Sequence, residues 1–278
     1  MKTMTADEFR SYREKEHEKS YLLIDVRQPA EYKESHISGS ILLPLNQFEE
    51  QVEELPEKNL IFYCRSGIRS KAAALTADFF NEAGKDIYNL EGGILAWHGI
   101  TVEGMPSFKT FNLNKELSQI LIDAINLEKG AFRFYEYILE HFYSDNLSEK
   151  DKSISDVMQQ ARDGELGHAK LIYSHLKKIV PNSNSIEPFD LIYQNLKGDI
   201  LEGGAAFEQM AELIGNRTEN RTADILENAI AMEYRAFDLY RVMSERTEDE
   251  SLKDAFYSLA QAEKSHMNIL ANALESSL

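Results

Sequence analysis

The spacing of apolar residues divides the chain into a part built on short apolar runs and a part built on long helical stripes. Before about residue 105, short runs of strand type alternate with stretches rich in helix formers, as in Leu60 to Tyr63 followed by Lys71 to Phe80. This alternation predicts an α/β domain with a parallel sheet and flanking helices. From about Leu117 onward, apolar residues recur at spacings of three and four over four long stretches. That period predicts an all-α four-helix bundle.

Glutamates and histidines interrupt these four apolar stripes at positions that face the predicted core. The first and third helices each carry one inward glutamate, and the second and fourth each carry a Glu-x-x-His motif. The apolar stripe of the first helix, for example, runs through Ala124, Ala131 and Tyr135 on either side of its glutamate. The inward polar residues are Glu128, Glu165, His168, Glu233, Glu263 and His266.

This set of side chains has the composition of a paired metal site. Burying one unpaired carboxylate costs several kcal/mol, so four converging carboxylates need cations to neutralise them. One glutamate from each of two helices plus a Glu-x-x-His from each of the other two is the ligand set of di-iron and di-manganese bundles. Oxygen-rich ligation with one imidazole per metal favours Fe or Mn over Zn. The sequence therefore predicts two Fe (or Mn) ions per chain, bound by those six residues.

Other residues with similar spacing have two interpretations. Glu14 and His17 also form a Glu-x-x-His motif, but no apolar stripe passes through it, and we interpret it as a solvated helix face. Tyr135 and Tyr240 each lie seven residues after a solitary glutamate, on the same face. They are either hydrogen-bond donors to Glu128 and Glu233 or core aromatics that only pack.

Residues from about 112 to 278 resemble the ferritin-like superfamily, and the sequence around Glu128 and Tyr135 resembles that of rubrerythrin. The ligand pattern is similar to that of bacterioferritin-type sites, which implies that Glu165 and Glu263 bridge the metals. Two features depart from rubrerythrin. Ala236 stands where rubrerythrins have a second carboxylate, and one cysteine cannot form a four-cysteine rubredoxin module. The resemblance therefore implies a di-iron oxidoreductase-type domain, reactive toward oxygen or peroxide, without implying the peroxidase activity of rubrerythrin.

The single cysteine begins a loop between a predicted strand and a predicted helix. The loop runs from Cys64 through Arg65 and Gly67 to Arg69 and Ser70. Backbone N–H groups and the positive helix end favour a thiolate over a thiol, and two arginines add positive charge. Cys64 is then a nucleophile or the carrier of an anionic persulfide. The alternative is a buried cysteine that acts as a small apolar residue.

Residues 1 to about 105 resemble the rhodanese domain. The matching segments are Leu22 to Arg27 with Pro29, Glu31 and Tyr32, then His36 to Gly39, the Cys-x4-Arg loop, and Glu91 to Trp97. The resemblance implies that Cys64 accepts a sulfane sulfur, with Arg65 and Arg69 as catalytic partners. It implies structural roles for Asp25 and His36. The residues expected to bind the sulfur donor are Ser66, Gly67, Ile68 and Ser70.

The chain length suggests two domains, and we place them at 1–105 and 112–278. The boundary falls at Glu103 to Asn114, where Gly104, Pro106 and Ser107 interrupt the periodicity. A crossover from Pro181 to Arg221 separates the second and third ligand helices and is expected to form one or two helices of its own. An interface for a homodimer through the bundle is one role that it would serve.

The acidic composition excludes some partners. A formal net charge of −17 disfavours binding to nucleic acid or to an anionic membrane. Residues 1–20 lack the apolar core of a signal peptide, no stretch is long enough to span a bilayer, and one cysteine fits a reducing compartment, so we expect a cytoplasmic protein. The basic loop around Cys64 favours a small anionic sulfur donor. A lone thiol requires an external thiol or other sulfur acceptor.

Three functions from different classes fit these features. The favoured one is a sulfurtransferase that moves sulfane sulfur through a Cys64 persulfide, fused to a di-iron oxidoreductase-type domain. The second is an iron-handling protein whose bundle stores or delivers metal. The third is a redox or sulfide sensor that binds metal without turnover.

Overall fold

A computed structural model describes residues 1–81, 84–99, 101–102, 115–144, 147–180, 186–201, 204–216 and 221–277. The chain divides into two compact units, Met1–Met105 and Pro106–Leu278. The predicted boundary region, Glu103 to Asn114, lies outside the described residues. The first unit is an α/β domain and the second is mainly helical, which confirms the predicted fold classes.

The first unit alternates strands and helices from its first residues. Its strands are β1 (Lys2–Met4), β2 (Tyr21–Asp25), β3 (His36–Ile37), β4 (Ile41–Leu42), β5 (Asn59–Tyr63), β6 (Ile87–Leu90) and β7 (Thr101–Val102). Its helices are α1 (Ala6–Lys15), α2 (Pro29–Glu34), α3 (Leu45–Gln51), α4 (Ile68–Phe79) and α5 (Gly93–Ala96).

Strand β5 lies at the centre of the parallel sheet of this unit. Among the described residues, the sheet has five strands in the order β1-β6-β5-β2-β4. Every residue of β2 is buried, as expected for a continuous apolar run in a parallel sheet covered on both faces. The carboxyl ends of parallel strands meet at one edge, so the residue after β5 lies in the middle of that edge. That residue is Cys64.

The second unit is built on four long helices. They are α6 (Leu117–Phe142), α7 (Glu149–Ile179), α10 (Arg221–Arg246) and α11 (Glu250–Ser277). Helix α6 packs along α7, α10 packs along α11, and α7 also contacts α11. The predicted stripes face inward and form two apolar clusters, one containing Ala124 and Leu259 and the other Ala131 and Leu270. The six inward polar residues lie along the helices between these clusters.

Two short helices, α8 (Phe189–Asn195) and α9 (Phe207–Gly215), occupy the crossover and confirm that it has helices of its own. Residues 181–185, 202–203 and 217–220 of the crossover lie outside the described residues. The crossover is fastened to α6 by polar contacts. Lys129 Nζ donates to the carbonyl oxygens of Tyr193 at 2.6 Å and Leu196 at 2.7 Å, and Arg133 Nη1 donates to that of Gly198 at 2.8 Å. The homodimer interface stays a prediction.

None of the helices in the described ranges has both the length and the apolar character needed to cross a membrane.

Candidate active site and candidate metal centre

The Cys64 thiol is held in a tight loop between β5 and α4. The residue is 1% exposed, and the Gly67 N–H donates to its Sγ at 3.1 Å. Gly67 has φ of 90°, a left-handed conformation that side chains other than glycine rarely adopt. A Cβ there would also lie 3.1 Å from the amide nitrogen of Gly92. Both the conformation and the space around it require glycine at this turn.

The segment after β6 packs against the Cys64 loop and fixes its backbone. The Ile94 N–H donates to the Cys64 carbonyl at 2.9 Å, and the Leu95 N–H donates to the Arg65 carbonyl at 3.1 Å. A Cβ on Gly93 would lie 2.3 Å from the Cys64 carbonyl oxygen. Gly93 therefore allows this close approach of two backbones.

The surroundings of Cys64 favour its anionic form. Burial acts to raise the pKa of the thiol, but hydrogen bonds from the Ser70 side chain and from the backbone N–H groups of Ser70, Ser66 and Gly67 outweigh it. The net pKa lies below that of a free thiol. The Ser70 hydroxyl is 3.5 Å from Sγ and 2.7 Å from Asn89 Oδ1. Its single hydrogen serves one acceptor at a time, so Asn89 competes with the sulfur.

Arg65 in the loop and Arg69 in the first turn of α4 differ in their surroundings. Arg65 is exposed, whereas both Nη atoms of Arg69 lie 2.7 Å from the carboxylate oxygens of Glu31 on α2. These hydrogen bonds lower the pKa of Glu31 to about 2. The pKa of Arg69 is raised, first by the bonds to Glu31 and, less strongly, by the charge on Cys64. The guanidinium of Arg69 is thus bound to Glu31, a pairing that the sequence analysis missed.

Two other polar residues of the rhodanese-like motif are buried in the first unit. Asp25 accepts hydrogen bonds from the backbone N–H of Arg27 at 2.9 Å and from its Nη2 at 2.7 Å. The His36 ring stacks on Tyr32 with centroids 3.7 Å apart. The first contact joins the end of β2 to the segment that follows it and the second joins α2 to β3, in agreement with the structural roles expected for Asp25 and His36.

We expect the Ser70→Ala variant to raise the pKa of the Cys64 thiol, because it removes a hydrogen bond and leaves the backbone N–H donors in place. The rate of alkylation by iodoacetamide as a function of pH measures the thiolate, and its midpoint should move to higher pH. Ser66→Ala is the matched control, since Ser66 acts through its backbone. An unchanged midpoint in Ser70→Ala would show that the amides alone set the pKa.

The bundle brings its six inward polar residues into one buried layer. The four carboxylates are fully buried, and His168 and His266 are 8% and 6% exposed. One potential ligand atom from each of Glu165, His168, Glu263 and His266 lies within 4.8 Å of the others. Helices α7 and α11 therefore bring these four residues together as a single donor set.

Distances divide this donor set into two halves with shared members. His168 Nδ1 lies 3.1 Å from Glu128 Oε2, and His266 Nδ1 lies 3.4 Å from Glu233 Oε2. Glu165 reaches both imidazoles, with its oxygens 3.4 Å from His168 Nδ1 and 3.0 Å from His266 Nδ1. Glu263 does the same, at 3.0 Å and 3.7 Å. Each half thus has its own glutamate and histidine, and two glutamates are common to both.

Several buried atoms of this layer have no hydrogen-bond partner among the described residues. They are both carboxylate oxygens of Glu165 and of Glu263, Glu233 Oε2 and His266 Nδ1. The carboxylate oxygens among them each lie 3.0–3.7 Å from an imidazole Nδ1, without a hydrogen bond being formed. Buried carboxylate oxygens are normally satisfied, and divalent cations can satisfy them. The donors therefore fit a pair of divalent metal ions.

Electrostatics in the layer point the same way. Burial raises the pKa of Glu263 well above its usual range. Burial also acts to raise the pKa of Glu165, but the neighbouring imidazoles of His168 and His266 outweigh it and bring the value to about 2. Burial acts to lower the pKa of His266, yet the neighbouring carboxylates of Glu165 and Glu233 raise it to about 11. Protonated imidazoles therefore offset the carboxylate charge, and a divalent cation would displace those protons.

The two core tyrosines form hydrogen bonds in a crossed arrangement. The Tyr135 hydroxyl donates to Glu233, and the Tyr240 hydroxyl donates to Glu128. Each tyrosine therefore supports the glutamate of the other helix, not the one on its own helix. Of the two interpretations from the sequence, donation to the glutamates is confirmed. The pairing across helices could not be read from spacing along one helix.

We expect Tyr240→Phe to weaken metal binding by about 10- to 100-fold, since Glu128 loses the donor that orients it. The ring itself keeps its stacking on Phe256, at 6.1 Å between centroids. Anaerobic competition with a chelator of known affinity measures the change. Tyr143→Phe is the control, because Tyr143 bonds Thr222 instead of a ligand. Wild-type affinity in Tyr240→Phe would mean that the tyrosine only packs.

Three other residues from the sequence analysis lie elsewhere. Glu14 and His17 are both exposed, and α1 ends at Lys15, so they share no helix face. The prediction of a solvated helix face was thus wrong for His17, which instead begins a short turn by accepting the Lys19 N–H. Ala236 is buried in an apolar cluster, at the position where rubrerythrins have an additional carboxylate.

The protein therefore has two domains with different candidate sites. The first has a thiol in a strand-loop-helix turn, and the second has a layer of carboxylates and histidines inside a helical bundle. The rhodanese-like domain family matches residues 5–100, and the rubrerythrin family matches residues 224–277. The chain is 36% identical over 84 residues to a sulfurtransferase of Allochromatium vinosum, covering 29% of this chain and 77% of that protein. It is 39% identical over 101 residues to the uncharacterized protein YqhL of Bacillus subtilis (strain 168), covering 36% and 74%.

Among solved structures, a rhodanese-like domain protein from Staphylococcus aureus is similar, with 26% sequence identity and a TM-score of 0.30. The match covers 35% of this chain and 91% of the Staphylococcus aureus chain. The sequence relatives match about a third of this chain. The chain belongs to the rhodanese-like family through its first domain, and it continues into a rubrerythrin-type, ferritin-like domain.

Proposed function

We propose that the first domain is a sulfurtransferase that carries sulfane sulfur on Cys64. The observation that carries the proposal is the thiol at the end of β5, whose pKa is lowered by the hydrogen bonds of its loop. The sulfurtransferase from Allochromatium vinosum supports the same reaction class. We propose Arg65 and Arg69 as the catalytic partners of Cys64, and Ser66, Gly67, Ile68 and Ser70 as the donor-binding residues.

The reaction consists of two displacements with no net oxidation. The Cys64 thiolate attacks the sulfane sulfur of a small anionic donor such as thiosulfate, the sulfur–sulfur bond of the donor breaks, and sulfite leaves with the bonding electrons. A persulfide anion remains on Cys64. An external nucleophile, such as cyanide or a thiol, then takes the outer sulfur and the thiolate is restored. The loop N–H groups that face Sγ stabilise negative charge at both stages.

We propose that the second domain, residues 112–278, binds two Fe or Mn ions. Glu128 and His168 would hold one ion, Glu233 and His266 the other, and Glu165 and Glu263 would be shared. The unpartnered buried oxygens of this layer support the assignment. Such a pair would supply redox chemistry toward oxygen or peroxide. The layer itself is buried and holds two of its carboxylates, Glu128 and Glu233, through tyrosine hydroxyls.

Two measurements on the purified full chain test these proposals separately. After incubation with thiosulfate, intact mass should increase by one sulfur atom, and cyanide should remove the increase. After anaerobic reconstitution with Fe(II) or Mn(II), elemental analysis should give two ions per chain. No sulfur adduct with any donor would overturn the sulfurtransferase. Many more than two ions per chain would favour metal storage, and no metal at all would overturn the metal site.

A further inference from the structure

Gly164 directly precedes the shared ligand Glu165 and lies against the ring of His266. A Cβ built on Gly164 would be 2.2 Å from His266 Nε2 and 2.6 Å from its Cε1. Glycine inside a helix costs about 1 kcal/mol relative to alanine, so its presence in α7 needs a compensating role. Gly167, three residues later in the same helix, has nothing within 4 Å of its Cβ position. The two glycines therefore differ in what an added methyl group would meet.

The His266 ring has little space in which to move away from Gly164. Its Nδ1, the ring atom next to Cε1, lies 3.0 Å from Glu165 Oε1, and its face stacks on His168 with centroids 4.8 Å apart. The residue is 6% exposed. A methyl group needs about 3.5 Å to its neighbours, so the ring would have to shift by roughly 1 Å. Metal–ligand distances tolerate only about 0.2 Å.

The second Glu-x-x-His motif differs at the corresponding position. The residue before Glu263 is Ala262, which already has a Cβ, whereas the residue before Glu165 is glycine. The close approach between the α7 backbone at Gly164 and an imidazole therefore concerns His266. His266 belongs to the half of the layer whose own, unshared glutamate is Glu233. Substitution at Gly164 should act on this half of the ligand layer and spare the half with Glu128 and His168.

We propose that Gly164 is a positioning residue that seats His266 as a ligand and makes the two metal positions unequal in their tolerance of substitution. The inference rests on the proposed metal binding of the bundle. It assigns a role to a residue that donates no ligand atom. The missing side chain provides the space in which the Nε2 edge of His266 lies, so that Nδ1 faces the carboxylates of Glu165 and Glu233.

The test compares Gly164→Ala with Gly167→Ala in the full chain. Both substitutions raise helix propensity, and only the first places a methyl group against His266. After anaerobic addition of Fe(II), wild type and Gly167→Ala should each bind two ions per chain, and the affinities measured for Gly167→Ala should equal those of wild type. Gly164→Ala should keep one ion at wild-type affinity and bind the other about 10- to 100-fold more weakly in a chelator competition.

A second comparison uses the His266→Ala background, where the ring is absent. In that background Gly164→Ala should cause no further loss of metal. If the single variant Gly164→Ala fails to fold, the double variant Gly164→Ala/His266→Ala should fold, because the ring that the methyl group would meet is absent. Two tightly bound ions in Gly164→Ala, or an equal loss of binding with and without His266, would overturn the inference while the metal site itself stands. A wild-type chain that binds no metal would overturn the proposed metal function and this inference with it.

Discussion

The Glu165→Ala variant is expected to lose the paired metal site. Glu165 has one oxygen 3.4 Å from His168 Nδ1 and the other 3.0 Å from His266 Nδ1, so its removal takes a donor from both halves of the layer. Elemental analysis after anaerobic reconstitution should fall from two ions per chain to none that survive gel filtration. Glu165→Gln, which keeps the volume and removes the charge, should show the same loss, because the neutral amide leaves the cations with less compensating charge.

Glu140→Ala is the matched control for this experiment, since Glu140 is an exposed glutamate on α6 and should keep both ions. Alkylation of Cys64 in the same samples reports whether the first domain has stayed folded, and it should not change. Two tightly held ions in Glu165→Ala would contradict the role of Glu165 as a shared ligand. Loss of metal in the control as well would point to general damage to the bundle.

The helical period predicted which side chains of the bundle face inward, but it did not predict how they pair across helices. Spacing along α6 places Glu128 and Tyr135 on one face, yet Tyr135 donates to Glu233 on α10. The pairing depends on the separation and rotation of neighbouring helices, which a single-helix pattern does not contain. Gly164 was missed for the same reason: its role depends on the His266 ring of α11, 102 positions later in the numbering of the chain.

The strand-loop-helix pattern predicted the position of Cys64, because a buried apolar run followed by a glycine-containing loop leaves few alternatives. It did not predict the partner of Arg69. Glu31 lies on α2, far from Arg69 along the chain, and the two meet because β2 and β5 are neighbours in the parallel sheet and their following segments share one edge. Sequence reasoning assigned the Arg69 charge to the sulfur alone, whereas in the structure the guanidinium is paired with Glu31 at 2.7 Å.

The Cys64→Ser variant is expected to lose sulfur transfer completely. Cys64 is the only cysteine of the chain, so a persulfide formed there has no second thiol with which to form a disulfide. The persulfide should therefore accumulate when no acceptor is present. Intact-mass measurement after incubation with thiosulfate should show one added sulfur in wild type and none in Cys64→Ser. Sulfur transfer at the wild-type rate by Cys64→Ser would overturn the sulfurtransferase assignment and favour a sensor.

A second arm of this experiment separates two ways in which Arg69 would stabilise the proposed persulfide. Arg69→Ala should lower the yield of the adduct without unfolding the domain, because it removes both a nearby positive charge and the two bonds that join the loop to α2. Glu31→Gln removes one negative charge and leaves the guanidinium in place. If the link between Arg69 and Glu31 on α2 has a larger effect on the yield than the charge of Arg69, as the bidentate geometry indicates, Glu31→Gln should also lower the yield. A yield in Glu31→Gln above that of wild type would instead show that Arg69 acts on the bound sulfur through its charge.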